Sequence, residues 1–221
     1  MQLNRNPRPL KQVILEASIV AFLVLFPHYV PLPFYSYAIV CLVVVVLYLR
    51  KQKKTLRDLV LRRNGLTAHT FIIGVVSALM FIAFNKWVYH PFIMHFFVVD
   101  PYTEYDFIRE RLSNLIFTII AAWLIGGLYE EIVFRGFIQS TITQWFGNSS
   151  RSFWLAGLVT SILFGLYHWQ QGIFGIIPSA LGGLLWTFLL RRYENNLWYP
   201  IISHAVYDTI ALTMIYKGIA I

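Results

Sequence analysis

The chain alternates between long, continuous apolar runs and shorter polar segments. Seven apolar stretches stand out, at residues 13–26, 34–49, 68–84, 112–134, 153–169, 173–190 and 197–216. Because the runs are continuous and do not alternate apolar with polar residues, they predict helices in lipid and not barrel strands. An additional helix at the membrane interface is an alternative within residues 87–107. The pattern predicts an all-α, polytopic membrane protein with seven, or eight, transmembrane helices.

Composition agrees with this pattern. Of the 221 residues, 58% are hydrophobic and 13% are charged, and the mean hydropathy is +0.63. Soluble domains average about 45–50% apolar and about 25% charged residues, so an ordinary soluble domain and a disordered chain are both excluded. The length fits one membrane domain over residues 1–221. Within it, the basic segment 50–63 is expected to form an interfacial helix on anionic headgroups.

The basic residues predict an orientation. With the N-terminus inside, thirteen of the eighteen lie on the inner side and four on the outer side. Excess basic charge in short loops marks the cytoplasmic face of a membrane protein. The net charge of +8 is therefore explained by topology, and no nucleic-acid partner is expected. The compact length and the lack of an organelle-targeting segment favour a bacterial cell membrane, crossed several times, with a cytoplasmic N-terminus.

Ionisable side chains within apolar stretches are candidates for function, because each costs about 2.5–3.5 kcal/mol to insert. Outside the second half of the chain, Glu16 is the exception, and we expect it to reach water or headgroups near the start of its stretch. Tryptophans near the ends of stretches, such as Trp145, are expected to be interfacial anchors. The candidate site residues are Glu130, Glu131, Arg135, His168, His204 and Asp208.

Helical spacing pairs four of these residues. Glu131 and Arg135 are four residues apart, with the acid in the favourable N-terminal position. They form either a structural ion pair or part of a catalytic group, and the spacing leaves both interpretations open. His204 and Asp208 are also four residues apart, so the carboxylate could orient the imidazole. Glu130 lies about 100° around the helix from Glu131 and can face another partner.

The distances from the polar turns predict which residues share a depth. Glu130 and His168 lie equally far from the turn between them, which places them at one level of an antiparallel pair. His204 lies closer to its own turn. His204 lies at the level of Glu130 only if the hairpin formed by stretches 112–134 and 153–169 extends beyond the membrane, or if a helix is broken. A break after His168 could occur at Gly172 or Gly175.

Two chemistries fit this set, and both predict hydrolysis. In the first, Glu130 is a general base on a water and a histidine stabilises the developing oxyanion. In the second, a divalent metal such as zinc, held by Glu130, His168 and His204, activates the water. The spacing does not choose between them. Ser203 is disfavoured as a nucleophile, because adjacent residues such as Ser203 and His204 point apart on a helix.

Three short motifs contain these residues. Residues 130–136 read Glu-Glu-Ile-Val-Phe-Arg-Gly, residues 164–168 read Phe-Gly-Leu-Tyr-His, and residues 204–208 read His-Ala-Val-Tyr-Asp. They resemble, in order, the EExxxR, FxxxH and HxxxN/D motifs of the CAAX protease and bacteriocin-processing (CPBP, or Abi) family. The resemblance covers about residues 112–216. It implies a CAAX-protease-like helical core there, preceded by N-terminal spans in residues 1–111.

The family implies an intramembrane endopeptidase that cleaves a prenylated CAAX-type or hydrophobic leader peptide. Glu130 would then be the essential base with His168 as its partner on the water, while His204 and Asp208 would stabilise the oxyanion. Eukaryotic CAAX enzymes carry Asn where this chain has Asp208. The family is often described as metalloproteases, although a metal-free glutamate mechanism is also argued for it. The resemblance implies the site residues Glu130, Glu131, Arg135, His168, His204 and Asp208.

Two other classes of function remain as alternatives. One is a non-catalytic membrane protein that gives immunity to a bacteriocin by binding, a role linked to some family members. The other is a transporter, which the short length and the absence of an inverted repeat disfavour. The expected partners are membrane lipid and a hydrophobic or lipidated peptide, and the oligomeric state is left open.

Overall fold

The computed structural model describes residues 8–30, 32–59, 61, 64–98 and 105–219, apart from the side chain of Phe34. Within these residues the protein is all-helical and contains no strand, which confirms the predicted class. Each of the seven apolar stretches corresponds to one helix. The helices are α1 Leu10–Tyr29, α2 Tyr37–Lys51, α3 Ala68–Ile93, α4 Leu112–Trp145, α5 Ser150–Tyr167, α6 Gly172–Arg192 and α7 Trp198–Tyr216.

Not all of these helices qualify as membrane spans by length and composition. Among the described residues, four stretches are long and apolar enough: Leu10–Tyr29, Ala68–Ile93, Leu112–Trp145 and Trp169–Arg192. They correspond to α1, α3, α4 and a segment that includes α6. The structure therefore supports a helical protein with four candidate spans, whereas the sequence predicts seven spans.

The described residues between 87 and 107 do not form the additional helix that was expected there. Through the π-helical turn Asn85–Tyr89, α3 continues to Ile93 as one helix. Asp106–Ile108 forms a single 3-10 turn before α4. Residues 99–104 of this predicted segment lie outside the described residues. In the described part, the apolar residues 87–93 thus lengthen α3 and do not form a helix of their own.

The basic segment 50–63 is not one interfacial helix in its described part. Its first two residues end α2, and Lys53 then has a φ of 56°, which breaks the helix. Leu56–Leu59 forms one 3-10 turn. Asp58 Oδ2 accepts hydrogen bonds from the backbone N–H of Thr55 at 2.7 Å and from its hydroxyl, and these bonds lower the pKa of the Asp58 carboxyl. Residues 60, 62 and 63 lie outside the described residues.

Helix α4 is the longest helix and runs eleven residues beyond the predicted end at 134. The polar residues Gln139, Thr141 and Thr143, which follow this position, are buried. The hydroxyl of Thr187 on α6 donates to Gln139 Oε1 at 3.1 Å. Since protein atoms and not lipid surround these side chains, their polarity does not end the helix.

The neighbours of α4 approach it closely where side chains are small. A Cβ at Gly127 would lie 2.7 Å from Cβ of Ala205 on α7. Glycine and alanine let membrane helices approach closely without a gap in packing. On the side of α7 that faces away from α4, α7 packs against α3. A Cβ at Gly74 of α3 would lie 2.5 Å from Cγ2 of Ile202 on α7. Helix α7 is thus held between α3 and the middle of α4.

A buried carboxylate joins α1 to the rest of the fold. Glu16 is fully buried, and it pairs with Arg8 and accepts a hydrogen bond from the hydroxyl of Tyr48 on α2. Gln12 Nε2 donates to its Oε1 at 3.1 Å, and Trp145 Nε1 at the end of α4 donates to its Oε2 at 2.6 Å. The expectation that Glu16 reaches water or headgroups is therefore wrong. Trp145 likewise serves this internal contact.

Candidate active site

The first motif lies in an unusual part of α4. The helix is π-helical over Ala122–Glu130 and Ile132–Ile138, so backbone bonds there join residues five apart. Such segments are rare and are frequently found at functional sites. The motif residues Glu130, Glu131 and Arg135 are all buried. Three ionisable groups therefore lie inside the helix bundle on one short segment.

The third motif meets the first through a hydrogen bond. His204 Nδ1 lies 2.9 Å from Oε1 of Glu131. Because a carboxylate accepts and the imidazole must donate, we assign a hydrogen to Nδ1. The other ring nitrogen, Nε2, then faces Oδ2 of Asp208 at 3.6 Å and Oε2 of Glu130 at 3.9 Å. One imidazole is thus placed among three carboxylates.

This geometry changes the role expected of Asp208. The spacing predicts that Asp208 orients His204 by accepting a hydrogen bond. In the structure Glu131 accepts that bond, and the 3.6 Å from Asp208 Oδ2 to Nε2 exceeds ordinary hydrogen-bond length. Gly126 on α4 allows Asp208 its position, since a Cβ there would collide with Oδ2 of Asp208. Asp208 is therefore close to the side of His204 opposite to Glu131.

Arg135 contacts the same carboxylate that accepts the hydrogen bond from His204. Its Nη1 lies 3.2 Å from the same oxygen of Glu131 that accepts from His204. Its guanidinium carbon lies 4.3 Å from the ring centroid of Phe164 and 5.0 Å from that of Trp186. Cations are attracted to the faces of such rings. The predicted ion pair thus forms, and it is part of the arrangement that holds His204.

His168 approaches this group by way of an aromatic ring. It follows the last residue of α5, and its Nδ1 lies 2.9 Å from the carbonyl oxygen of Phe164. The Phe164 ring centroid lies 4.6 Å from His168 and 5.7 Å from His204, edge-on to both imidazoles. In the described part of the chain, no hydrogen bond or ion pair joins His168 to Glu130. Phe164, a residue of the second motif, is the shared contact of His168 and His204.

The helix break predicted after His168 is present at one of the two glycines. Gly172 has φ 62° and ψ −165°, a conformation essentially confined to glycine, and α6 begins there. Gly175 lies inside α6 and breaks nothing. His204 reaches the level of Glu130, since its Nε2 lies 3.9 Å from Oε2 of that residue.

Trp186 is a site residue that sequence reasoning missed. Its ring stacks on that of His204, with centroids 3.8 Å apart and planes 19° apart. Its Nε1 donates to Ser203 Oγ at 3.2 Å, and Ser77 Oγ lies 3.0 Å from the same hydroxyl. Ser203 is thus engaged away from the carboxylates. No signal in the sequence points to it, since Trp186 lies outside the three motifs and at no spacing that links it to His204.

The metal alternative can be tested against this arrangement. Among the described residues, no group of three or more His, Cys, Asp or Glu side chains is arranged to hold a metal ion. Glu130, His168 and His204 therefore do not fit the ligand set that the sequence suggested. The contacts that do form are those of His204 with the three carboxylates.

Buried carboxylates and a buried imidazole within a bundle of apolar helices define the class as a helical protein with candidate membrane spans and an internal cluster of ionisable groups. Residues 112–210 match the sequence model of the family described as "Type II CAAX prenyl endopeptidase Rce1-like". The match covers 99 of the 221 residues, and together with the first relative below it supports the family resemblance that the three motifs carry.

The relatives are bacterial proteins of limited similarity. "Putative membrane peptidase YdiL" of Bacillus subtilis (strain 168) is 28% identical over 178 residues, which cover 80% of this chain and 68% of the relative. An "Uncharacterized 24.3 kDa protein" of Escherichia coli is 26% identical over 51% of each chain. An "Uncharacterized protein" of Mycoplasma capricolum subsp. capricolum is 31% identical over 56% of this chain and 34% of its own length. No solved structure matches the chain.

Proposed function

We propose that the protein is a membrane-embedded endopeptidase that hydrolyses a peptide bond in a lipidated, prenylated CAAX-type or otherwise hydrophobic peptide. The observation that supports this most directly is the placement of His204. Glu131 holds its Nδ1 at 2.9 Å, and its Nε2 faces Glu130 and Asp208. A base and a hydrogen-bond donor side by side are what peptide hydrolysis by an activated water requires.

In the proposed reaction, Glu130 takes a proton from a water, and the resulting hydroxide attacks the carbonyl carbon of the peptide bond. The 3.9 Å between Glu130 Oε2 and His204 Nε2 is too long for a direct hydrogen bond. An oxygen atom about 2.8 Å from both atoms fits this separation. This separation supports a reacting oxygen between the Glu130 carboxylate and the His204 imidazole.

His204 donates to the developing oxyanion when its Nε2 is protonated, and Asp208 lies beside that nitrogen. Glu130 then passes its proton to the leaving amine as the carbon–nitrogen bond breaks. Glu131 and Arg135 keep the imidazole in place through the shared oxygen Oε1. His168, which contacts Phe164, is the partner proposed for the water from the side of α5.

We further infer that all seven helices cross a bacterial cell membrane, with the N-terminus in the cytoplasm. The excess of basic residues on one side supports the cytoplasmic N-terminus, and the bacterial relatives support a bacterial source. The peptide bond would be cleaved within or close to the bilayer, where a substrate anchored by lipid or by an apolar segment is concentrated.

The test uses the purified protein in detergent with a panel of fluorogenic prenylated CAAX peptides and amphipathic leader peptides. Glu130→Gln should abolish cleavage while its thermal unfolding stays cooperative. The matched control is Asp106→Asn, which changes an exposed carboxylate outside the site and should cleave like the wild type. Full cleavage by Glu130→Gln would overturn the proposal.

Two additional measurements separate the alternatives. Cleavage that survives chelators supports the glutamate mechanism, whereas loss of cleavage that added zinc restores would establish a metallopeptidase. If cells carrying the wild-type protein are protected against a bacteriocin, protection that persists in Glu130→Gln would favour the binding function over proteolysis.

A further inference from the structure

Trp186 lies at the centre of the candidate site without belonging to any of the three motifs. It is 2% exposed, and its ring lies face to face with the imidazole of His204 at 3.8 Å. The Arg135 guanidinium lies 5.0 Å from the same ring system. One indole therefore contacts both groups that are linked through Glu131.

Two adjacent glycines on α6 provide the space for this arrangement. A Cβ at Gly182 would lie 3.0 Å from Cη2 of Trp186, closer than nearly all real Cβ contacts. A Cβ at Gly183 would lie 2.8 Å from Nη2 of Arg135. Larger residues at these positions would therefore displace the indole and the guanidinium.

The edge of the indole is fixed as well as its face. Nε1 donates to Ser203 Oγ at 3.2 Å, and Ser203 precedes His204 on α7. Ser77 on α3 donates to the same hydroxyl at 3.0 Å. Because the donor and the hydroxyls are buried, these bonds cannot be replaced by bulk water. The indole thus has one orientation relative to α7.

The hydrogen bond of His204 at Nδ1 leaves the imidazole free to rotate about the outer torsion of its side chain. A stacking partner is therefore needed to fix the plane of the ring. The outer torsion of a histidine side chain is broad and roughly two-fold, and a single bond at Nδ1 does not fix the plane of the ring. An indole parallel to that plane opposes rotation out of it. The stack therefore keeps Nε2 directed between Glu130 and Asp208.

We propose that Trp186 is a positioning residue of the peptidase site, which holds the His204 imidazole in the plane that the hydrolysis requires. The inference rests on the proposed function for its catalytic consequence, and on the stacked geometry alone for the orientation of the ring. Trp186 acts through His204 and is not itself in contact with the reacting atoms.

The kinetic test compares Trp186→Leu with Trp186→Phe on a peptide that the wild type cleaves. The leucine variant should lose about 10–100-fold in kcat, the range typical for residues that orient a reacting group, with a change in KM of less than about twofold. The phenylalanine variant keeps an aromatic face and should recover most of this loss. The control is Phe137→Leu, which removes an equally buried ring that packs against Tyr48 away from His204.

A second readout is independent of cleavage. In ¹⁵N-histidine-labelled protein, the His204 resonance is assigned by its disappearance in His204→Gln. At a pH where this imidazole is neutral, the wild type and Phe137→Leu should show one tautomer with hydrogen on Nδ1. Trp186→Leu should show a mixture of both tautomers.

The outcomes distinguish the two proposals. If no peptide is cleaved but the tautomers behave as expected, the proposed peptidase function fails and the positioning of His204 by Trp186 stands. If Trp186→Leu keeps the single tautomer, the positioning inference is overturned even where cleavage is observed. Equal losses of kcat in Trp186→Leu and Phe137→Leu would also overturn it, because they would show a general effect of aromatic burial.

Discussion

A single oxygen of Glu131 contacts both His204 and Arg135: Oε1 lies 2.9 Å from Nδ1 of the imidazole and 3.2 Å from Nη1 of the guanidinium. The first and third motifs, more than seventy residues apart in sequence, are therefore joined at one atom. Stability and activity depend on the same contact, which leads to the first prediction.

Glu131→Gln should destabilise the protein and also reduce peptide cleavage. Removing one member of a buried ion pair typically costs about 3–5 kcal/mol, because the remaining charge loses its partner. Here Arg135 would remain buried among rings without a counter-charge, and His204 would lose its anionic acceptor. The measurement is the free energy of unfolding in detergent together with cleavage of the peptide.

An exposed pair is the control for this prediction. Asp106 and Arg109 are 2.7 Å apart and about half exposed, so Asp106→Asn should cost less than about 1 kcal/mol. Glu131→Gln combined with Arg135→Met should regain part of the lost stability without regaining cleavage, since Arg135→Met removes the buried charge that Glu131→Gln leaves without a partner. Equal costs for the buried and exposed pairs would refute the argument.

Gly126→Ala should reduce cleavage by displacing Asp208. A Cβ at this position collides with Oδ2 of Asp208 and approaches Nε2 of His204 to 3.7 Å. Overpacking of this kind costs about 1–3 kcal/mol, so the protein should still fold. Leu124→Ala changes an exposed residue of the same helix and should leave cleavage unaffected. Wild-type cleavage by Gly126→Ala would show that Asp208 is not needed at its present place.

Gly172→Ala should lower the melting temperature. With φ 62° and ψ −165°, this position lies in a region that is essentially restricted to glycine, and an alanine there should cost about 1–3 kcal/mol. No heavy atom lies within 4 Å of the added Cβ, so the cost would come from the backbone conformation alone. An unchanged melting temperature would contradict this explanation of the break between α5 and α6.

Glu16→Gln should lower stability while leaving kcat close to that of the wild type at low temperature. The carboxylate is bonded to groups on α1, α2 and α4, whereas the candidate site lies on α4 to α7. Tyr48→Phe removes only one hydrogen bond to this charged group and should cost about 1.5–3 kcal/mol. Thermal unfolding and kinetics of the two variants check this, and Tyr29→Phe, at an exposed position, is the control.

Sequence periodicity was sufficient for the local features of the fold. Each apolar stretch forms a helix, as its continuous apolar run predicts. The pairing of Glu131 with Arg135 follows from helical spacing alone. The family resemblance followed from three motifs whose residues and order the sequence shows directly, and a family model matches residues 112–210.

Tertiary contacts account for what the sequence could not predict. Glu16 was expected to reach water or headgroups because it lies near the start of its stretch. Its partner Trp145 is 129 residues away, and no local pattern connects the two residues. His204 takes Glu131 as its acceptor in preference to the local candidate Asp208, because α7 packs against the π-helical part of α4. The stacking of Trp186 on His204 likewise depends on two helices meeting.

The length of α4 has a mechanical consequence for a protein in a bilayer. Since its π-helical turns rise less per residue than the roughly 1.5 Å of an α-helix, its 34 residues extend somewhat less than about 50 Å, which still exceeds the roughly 30 Å hydrocarbon core of a bilayer. A helix with this mismatch tilts or projects from the membrane, and its tilt follows the thickness of the surrounding lipid. Glu130 lies close to the midpoint of α4, so rotation about that midpoint displaces both ends of the helix and moves the carboxylate very little. In bilayers of different thickness, the Glu130 carboxylate would therefore keep nearly the same depth.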